Sequence, residues 1–343
     1  MAWDDKGTYE KINYSLRPAK NIERKMMFEI FGRVSIIQEM SSYRYIGFGS
    51  AYFADFILAH KNFGITDLIS IERDDEVVND RFRFNKPYSC VKLLFGDSKE
   101  ILPSLNLSEK KNIVWLDYDK HLNLDMIEDI STFFREACTG SMFSISVNVE
   151  PYRMTPGKQV AGKMLTENEF RYEKLKKELG HQRIPHEFIG KNLGLKENPQ
   201  IIHTIINNEI ESVLTIRNGS LSPNNKLIYK QLFNFLYKDG ALMMTIGGIL
   251  YDQEHAELVK KMEFEKMNIV RSTIDPLIIN VPNLTYKEIR ALDNLLPSNI
   301  DLENGVMSPD EIQFTPLPIL KIEDIINYAK IYRFFPNFAE STQ

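Results

Sequence analysis

From about residue 43 the chain alternates short apolar runs with stretches whose apolar residues recur every three or four positions. Short apolar runs bounded by turn residues read as buried strands, and the longer periodic stretches as helices. Tyr43–Phe48 reads as a strand, followed by a Gly49-Ser50 turn and a helix over about 52–62. Asp67–Glu72 is a second strand, followed by a helix over about 76–84 that stops before Pro87. Val91–Phe95 and Asn112–Leu116 are the third and fourth strands. A helix over 125–137 leads to a fifth, Ser141–Val149. Ahead of these, Ile22, Met26, Ile30, Val34 and Ile37 predict a helix from Pro18 to about Met40, with Pro18 in the first turn, where its missing N–H costs nothing. Residues 1–13 are polar and expected to be loosely ordered.

Short buried strands alternating with helices predict an α/β fold, a Rossmann-like, doubly wound and mostly parallel sheet with helices on both faces. After residue 152 the pattern changes. A charged, helical region follows, with a Lys/Glu-rich helix over 167–179 and another over 200–217 that turns Ile202, Ile205, Ile206, Ile210 and Val213 inward. Residues 226–237 read as an aromatic-rich helix. Residues 241–251 read as a strand that Gly247-Gly248 interrupts with a bulge or a hairpin turn. Amphipathic helices follow over 284–296 and 322–334. These readings divide the chain into an N-terminal arm and helix (1–40), a Rossmann-like core (41–152), a helical insertion or cap (153–225), and a final part (226–343) that completes the sheet and supplies C-terminal covering helices.

Composition narrows the function. The 343 residues are 43% hydrophobic and carry a net charge of −5. A mildly acidic chain offers no global attraction to nucleic acid or to an anionic membrane. Neither an apolar run of about 18 residues nor a hydrophobic leader after Met1 is visible, so a cytoplasmic protein without membrane association is expected. Cys90 and Cys138 stand apart with no CxxC spacing, which suggests neither a zinc site nor a disulfide framework.

Four polar segments fall at the ends of successive predicted strands. Gly47-Phe48-Gly49-Ser50 forms a strand-to-helix turn where backbone can approach a ligand closely. Glu72, followed by Arg73, ends the second strand 23 residues after Gly49, near the spacing at which an acid grips a ribose diol. Asp97-Ser98 follows the third strand and can hydrogen-bond an adenine amine or cap a helix. Asp117-Tyr118-Asp119-Lys120 follows the fourth, at the edge where open α/β sheets bind ligands.

Together these segments resemble the class I S-adenosylmethionine-dependent methyltransferases. Gly47, Phe48, Gly49 and Ser50 look like their first motif, Glu72 and Arg73 like the ribose segment, Asp97 and Ser98 like the adenine contact, and Asp117 and Tyr118 like the fourth-motif acid and its neighbour. The resemblance covers about 110 residues and implies S-adenosylmethionine as cofactor. Two places depart from it: many such enzymes have an acid two residues before the first glycine and a third glycine after the second, where this chain has Tyr45 and Ala51. The Asp117-Tyr118-Asp119-Lys120 run is also similar to the D-x-D-K stretch of cation-dependent O-methyltransferases. That likeness implies Asp117, Asp119 and Lys120 as catalytic residues and magnesium as a candidate cofactor, with Asn148 and Glu150 standing where that group has an Asp-Asn pair. The stretches 13–25 and 332–338 resemble prokaryotic proteins described as O-methyltransferases, a likeness that implies no particular substrate.

Competing readings are weaker. Tyr52 replaces the third glycine of a dinucleotide fingerprint, and no P-loop pattern occurs. Asn148–Tyr152 resembles the N-P-P-Y of base-methylating enzymes but follows the wrong strand, so a nucleic-acid substrate is disfavoured. His121, beside the acidic run, is a candidate base. The expected acceptor is an unidentified small molecule or protein. The alternative is a Rossmann-like binding or regulatory protein that docks a protein partner, or a second copy of itself, without methyl transfer.

Overall fold

The computed structural model describes residues 17–73, 76–154, 165–297 and 320–336. The expectation for residues 1–13, part of the 153–225 segment, and the ends of the two family-like stretches lie outside the described residues.

Five parallel strands form the first part of the sheet: β1 (Arg44–Gly47), β2 (Asp67–Glu72), β3 (Val91–Phe95), β4 (Asn112–His121) and β5 (Ser141–Asn148). An antiparallel hairpin, β6 (Leu227–Asp239) and β7 (Ala241–Asp252), adds to β5 through β7. A short β8 (Leu277–Ile279) lies along β6. Among the described residues these make one eight-stranded sheet, ordered β3-β2-β1-β4-β5-β7-β6-β8. The chain winds outward one way from β1 and the other way from β4. The two neighbours therefore define the switch point, where connections part and leave a crevice at the C-terminal strand ends.

Each face has its own core. On one face α1 (Pro18–Gly32) and α2 (Ala54–Phe63) pack their Ile22, Met26, Phe31 and Phe56 against Tyr45, Trp115, Phe233 and Phe235. On the other, α5 (Leu124–Glu136), α6 (Glu167–Leu179) and α7 (Glu197–Asn218) cover Ile46, Val114, Leu116, Ile145 and Ile246. The connections between strands also carry α3 (Glu76–Asn85) and α4 (Ser98–Ile101). The C-terminal part contributes α8 (Ala256–Lys261), α9 (Tyr286–Asp293) and α10 (Ile322–Ile331).

Three sequence expectations need correction. The leading helix ends at Gly32 and continues only as a 3₁₀ turn over Arg33–Ile36. The segment 226–237 is strand, not helix. Its Phe233, Phe235 and Tyr237 alternate onto the α1 face, and pairing with β7 overrides the local aromatic pattern. Of the two readings of Gly247-Gly248 the turn fails, because the hairpin reverses at Gly240, with φ +105°, while a bulge does lie opposite them.

The two glycines answer to their partner strand instead. The register of β6 shifts between Gln231 and Phe233, so β6 bulges toward β7 at this point. A Cβ on Gly248 would stand 2.1 Å from the Lys230 carbonyl oxygen, and one on Gly247 2.3 Å from the Phe233 ring. Backbone blocks the first position and cannot yield as a side chain can. Gly248→Ala is therefore expected to destabilise the fold by about 2 kcal/mol or more in chemical denaturation. An unchanged midpoint would mean that the bulge relaxes freely.

Candidate active site

The turn after β1 is held tight by sterics. Phe53 donates its N–H to the Gly49 carbonyl at 2.7 Å, and its ring lies under the loop. A Cβ on Gly49 would stand 2.3 Å from that ring and 2.7 Å from Ser70 Oγ, so only glycine fits. Ser50 and Phe53 both take left-handed conformations, with φ +50° and +48°. The loop backbone is thereby turned so that its N–H groups face Glu72.

Glu72 Oε1 accepts hydrogen bonds from Gly49 N at 2.9 Å, Ser50 N at 3.1 Å and Ser70 Oγ at 2.6 Å. None of these bonds engages Oε2. The residue is 6% exposed. Burial raises its carboxyl pKa to about 7, against the opposing pull of the three hydrogen bonds. The acid expected to grip a ribose thus also pins the glycine turn.

Tyr45 stands where the resemblance leads one to expect an acid. Its hydroxyl donates at 2.5 Å to Oδ2 of Asp55, a buried residue in the first turn of α2. The same oxygen would lie 3.4 Å from a Cβ placed on Gly47. A carboxyl group therefore reaches the foot of the glycine turn from ten residues downstream of Tyr45. Burial raises the Asp55 pKa, and the nearby positive charge of Arg24 works against that rise. Sequence reading missed Asp55; its one signal was an acid in the first turn of the helix after the glycines.

β4 does not end at Leu116 but runs to His121, with a register shift against β5 between Asp117 and His121. Successive strand residues point to opposite faces, so the tip serves both layers. Trp115 and Asp117 face α1, whereas Leu116 and Tyr118 face α5. On the α1 side, Lys20 Nζ lies 2.6 Å from Asp117 Oδ1, 2.8 Å from Glu23 Oε2 and 3.0 Å from the Tyr237 hydroxyl, and 4.5 Å above the Trp115 ring. Burial disfavours this ammonium, but Asp117, Glu23 and Tyr237 together raise its pKa above the ordinary lysine value, and it stays charged. The Lys20 side chain is 4% exposed and that of Asp117 25%, so the carboxylate faces the crevice while the cation lies behind it. Arg24 sits beyond the same ring, and its buried Nε has no hydrogen-bond partner among the described residues. On the α5 side, the Tyr118 hydroxyl donates to Asp129 Oδ2, and the ring meets Phe48 edge-on at 5.0 Å.

The structure thus brings Gly47, Phe48, Gly49, Ser50, Glu72, Ser98, Asp117 and Tyr118 to one edge. Asp97 is exposed at the start of α4, with no capping bond from its side chain. Arg73, Asp119 and Lys120 are exposed too. The lysine that reaches Asp117 is Lys20, from α1. His121 stacks on Tyr152 at 4.3 Å, with Nε2 2.9 Å from the Glu150 carbonyl.

The residues present fit an adenosyl cofactor: a turn that admits only glycine, carboxylates at its rim, and an unpartnered guanidinium nitrogen nearby. They do not fit magnesium. Asp117 already holds an ammonium, and Asn148 Oδ1 accepts the Glu150 N–H at 2.8 Å. Glu150 itself lies toward Lys238, and among the described residues no group of three or more His, Cys, Asp or Glu side chains is placed to hold a metal.

The glycine turn and the acids thus meet at the switch point of an α/β sheet. The chain belongs to the family described as "Putative O-methyltransferase", whose model matches residues 12–343. No curated protein matches it. It is similar to several solved structures at low identity. These include an arsenic(III) S-adenosylmethionine methyltransferase from Chlamydomonas reinhardtii (11% identity, TM-score 0.35, covering 62% of this chain and 65% of that one). Another is phosphoethanolamine N-methyltransferase 2 from Haemonchus contortus (13%, 0.31, 64% and 52%). A third is LepI in complex with SAM (11%, 0.30, 61% and 43%). The chain spans between 43% and 65% of the length of these structures. None of the described helices is long and apolar enough to cross a membrane.

The Glu72 carboxyl yields a pH prediction. Its pKa lies near 7 in the folded chain against an ordinary 4.5, so between these values the native state binds the extra proton. Stability from this group is complete below pH 4.5 and is lost as pH rises toward 7, by on the order of 3 kcal/mol. Urea denaturation at a series of pH values should show that fall in the wild type and a flatter profile in Glu72→Gln. Identical profiles would contradict the burial argument.

Proposed function

We propose that this protein transfers the methyl group of S-adenosylmethionine to an oxygen atom of a small-molecule or protein acceptor. The observation that carries this reading is the convergence of Glu72, the Gly47–Ser50 turn and Asp117 at the switch point of the sheet. When bound, S-adenosylmethionine supplies a methyl group already activated by its sulfonium. The protein's own task is to orient the acceptor and exclude water.

In this reading the glycine turn and Glu72 hold the ribose, through the Glu72 oxygen that the turn does not use. Asp97 and Ser98 receive the adenine, and Phe48 and Tyr118 wall the nucleoside. Arg73 lies at the rim beside the ribose. Asp117 takes the proton of the acceptor hydroxyl, and the Lys20 ammonium behind it fixes that carboxylate in place. Asp119 and Lys120, on the exposed end of β4, contact the acceptor. The 153–225 segment forms the cap over the acceptor. Its α7 is tied to the end of β5 by a bond from Asn198 Nδ2 to the Val149 carbonyl at 2.8 Å. The acceptor is not a membrane component, and the compartment is the cytoplasm.

Titration calorimetry with S-adenosylhomocysteine should show binding, and Glu72→Ala should weaken it by about 1–3 kcal/mol. Methyl-labelled cofactor incubated with fractionated lysate should mark an acceptor in a base-labile or ether linkage. Asp117→Asn should lower that transfer by about 10²–10⁴-fold while leaving cofactor affinity within a few-fold. Full transfer by Asp117→Asn would remove the base from this scheme, and label found only on nitrogen would overturn oxygen as the acceptor atom.

A further inference from the structure

Asp129 lies on α5, outside every sequence motif, yet it meets two of the residues assigned to the nucleoside. Its Oδ2 accepts from Ser98 Oγ at 2.6 Å and from the Tyr118 hydroxyl. Those two hydroxyls lie 3.0 Å from each other. Ser98 opens α4 after β3, and Tyr118 stands at the tip of β4 with its ring against Phe48 of the glycine turn. One carboxyl group therefore joins the three segments that enclose the nucleoside crevice. It does so from a helix whose Met126, Ile127, Ile130, Phe133 and Phe134 are anchored in the core, so the point of attachment is rigid.

Stability alone is a poor reason for this arrangement. Asp129 is wholly buried, and its Oδ1 has no hydrogen-bond partner among the described residues. The charges that act on it directly are the acidic Asp125 and Glu128, which raise its pKa. A well-packed apolar residue at such a site usually serves stability as well or better. Burial raises the Asp129 pKa in the same direction, against the opposing pull of the Ser98 and Tyr118 hydrogen bonds that its Oδ2 accepts.

We propose that Asp129 is a positioning residue for the cofactor: through Ser98 and Tyr118 it fixes the wall against which the adenosine of S-adenosylmethionine packs. The proposal rests on the cofactor assignment above. It predicts that loss of Asp129 weakens cofactor binding without weakening the fold.

The test is calorimetric binding of S-adenosylhomocysteine to the full chain, with thermal melting alongside. Asp129→Leu should raise Kd about tenfold or more at an unchanged or higher melting temperature. Asp129→Asn keeps an acceptor of the same shape and should restore most of the affinity. Tyr118→Phe should weaken binding as well, and its combination with Asp129→Leu should cost little more than the worse single change, because both act through one bond. Lys99→Ala removes the separate surface tie between α4 and Asp125 on α5 and should leave Kd unchanged. Wild-type protein that takes up no S-adenosylhomocysteine would overturn the cofactor assignment itself. Wild-type binding with an unchanged Kd in Asp129→Leu would overturn the proposal alone. So would a loss of affinity in Asp129→Leu and Asp129→Asn alike that only tracks a fall in melting temperature.

Discussion

The site depends on the two-sided tip of β4. Strand geometry sends alternate residues to opposite faces, so one extension of the strand gives Asp117 to the α1 layer and Tyr118 to the α5 layer. Because β4 adjoins β1 at the switch point, both side chains emerge beside the Gly47–Ser50 turn. The proposed base and the proposed nucleoside wall are thus positioned by the same backbone. A one-residue slip of β4 would exchange them, and the buried Trp115 and Leu116 on either face oppose such a slip.

The α1 side accepts an unusual burden. Lys20, Glu23 and Arg24 are all buried on a helix whose Ala19, Ile22, Met26, Met27, Ile30 and Phe31 make apolar core. Burying such charges is costly, and removing one partner of such a pair typically costs about 3–5 kcal/mol. The geometry that offsets the cost is local: Lys20 finds two carboxylates, a hydroxyl and an aromatic face within reach. Its backbone N–H is also held, by Asp239 at 2.8 Å. The helix thereby joins the tip of β4 through Lys20 and Asp117.

Much of this was legible in the sequence. The bounds of β2, β3 and α6 follow from the sequence to the residue, because short apolar runs and a Lys/Glu-rich helix leave little ambiguity. The ordered Gly turn, Glu72, Asp97-Ser98 and Asp117 were visible as strand-end signals. What was hidden depends on distant pairing. β6 looked helical because the bulge at Leu232 sends both Leu232 and Phe233 to the α1 face and breaks the alternation, and its partner β7 comes later in the chain. Gly247 and Gly248 left a bulge and a turn both open, because local sequence cannot show that a neighbouring carbonyl occupies the space of a Cβ. Asp55 and Asp129 reach the site from helices, 62 and 12 residues away from Asp117, and no spacing rule connects them to it.

A crystal structure of the protein with S-adenosylhomocysteine would test the central claim most directly. The account predicts adenosine density across the β1/β4 crevice, with the ribose hydroxyls on Glu72, the ring beside Asp97 and Tyr118, and the sulfur facing Asp117. Density at another edge of the sheet, or a crevice still closed by side chains at saturating ligand, would contradict it.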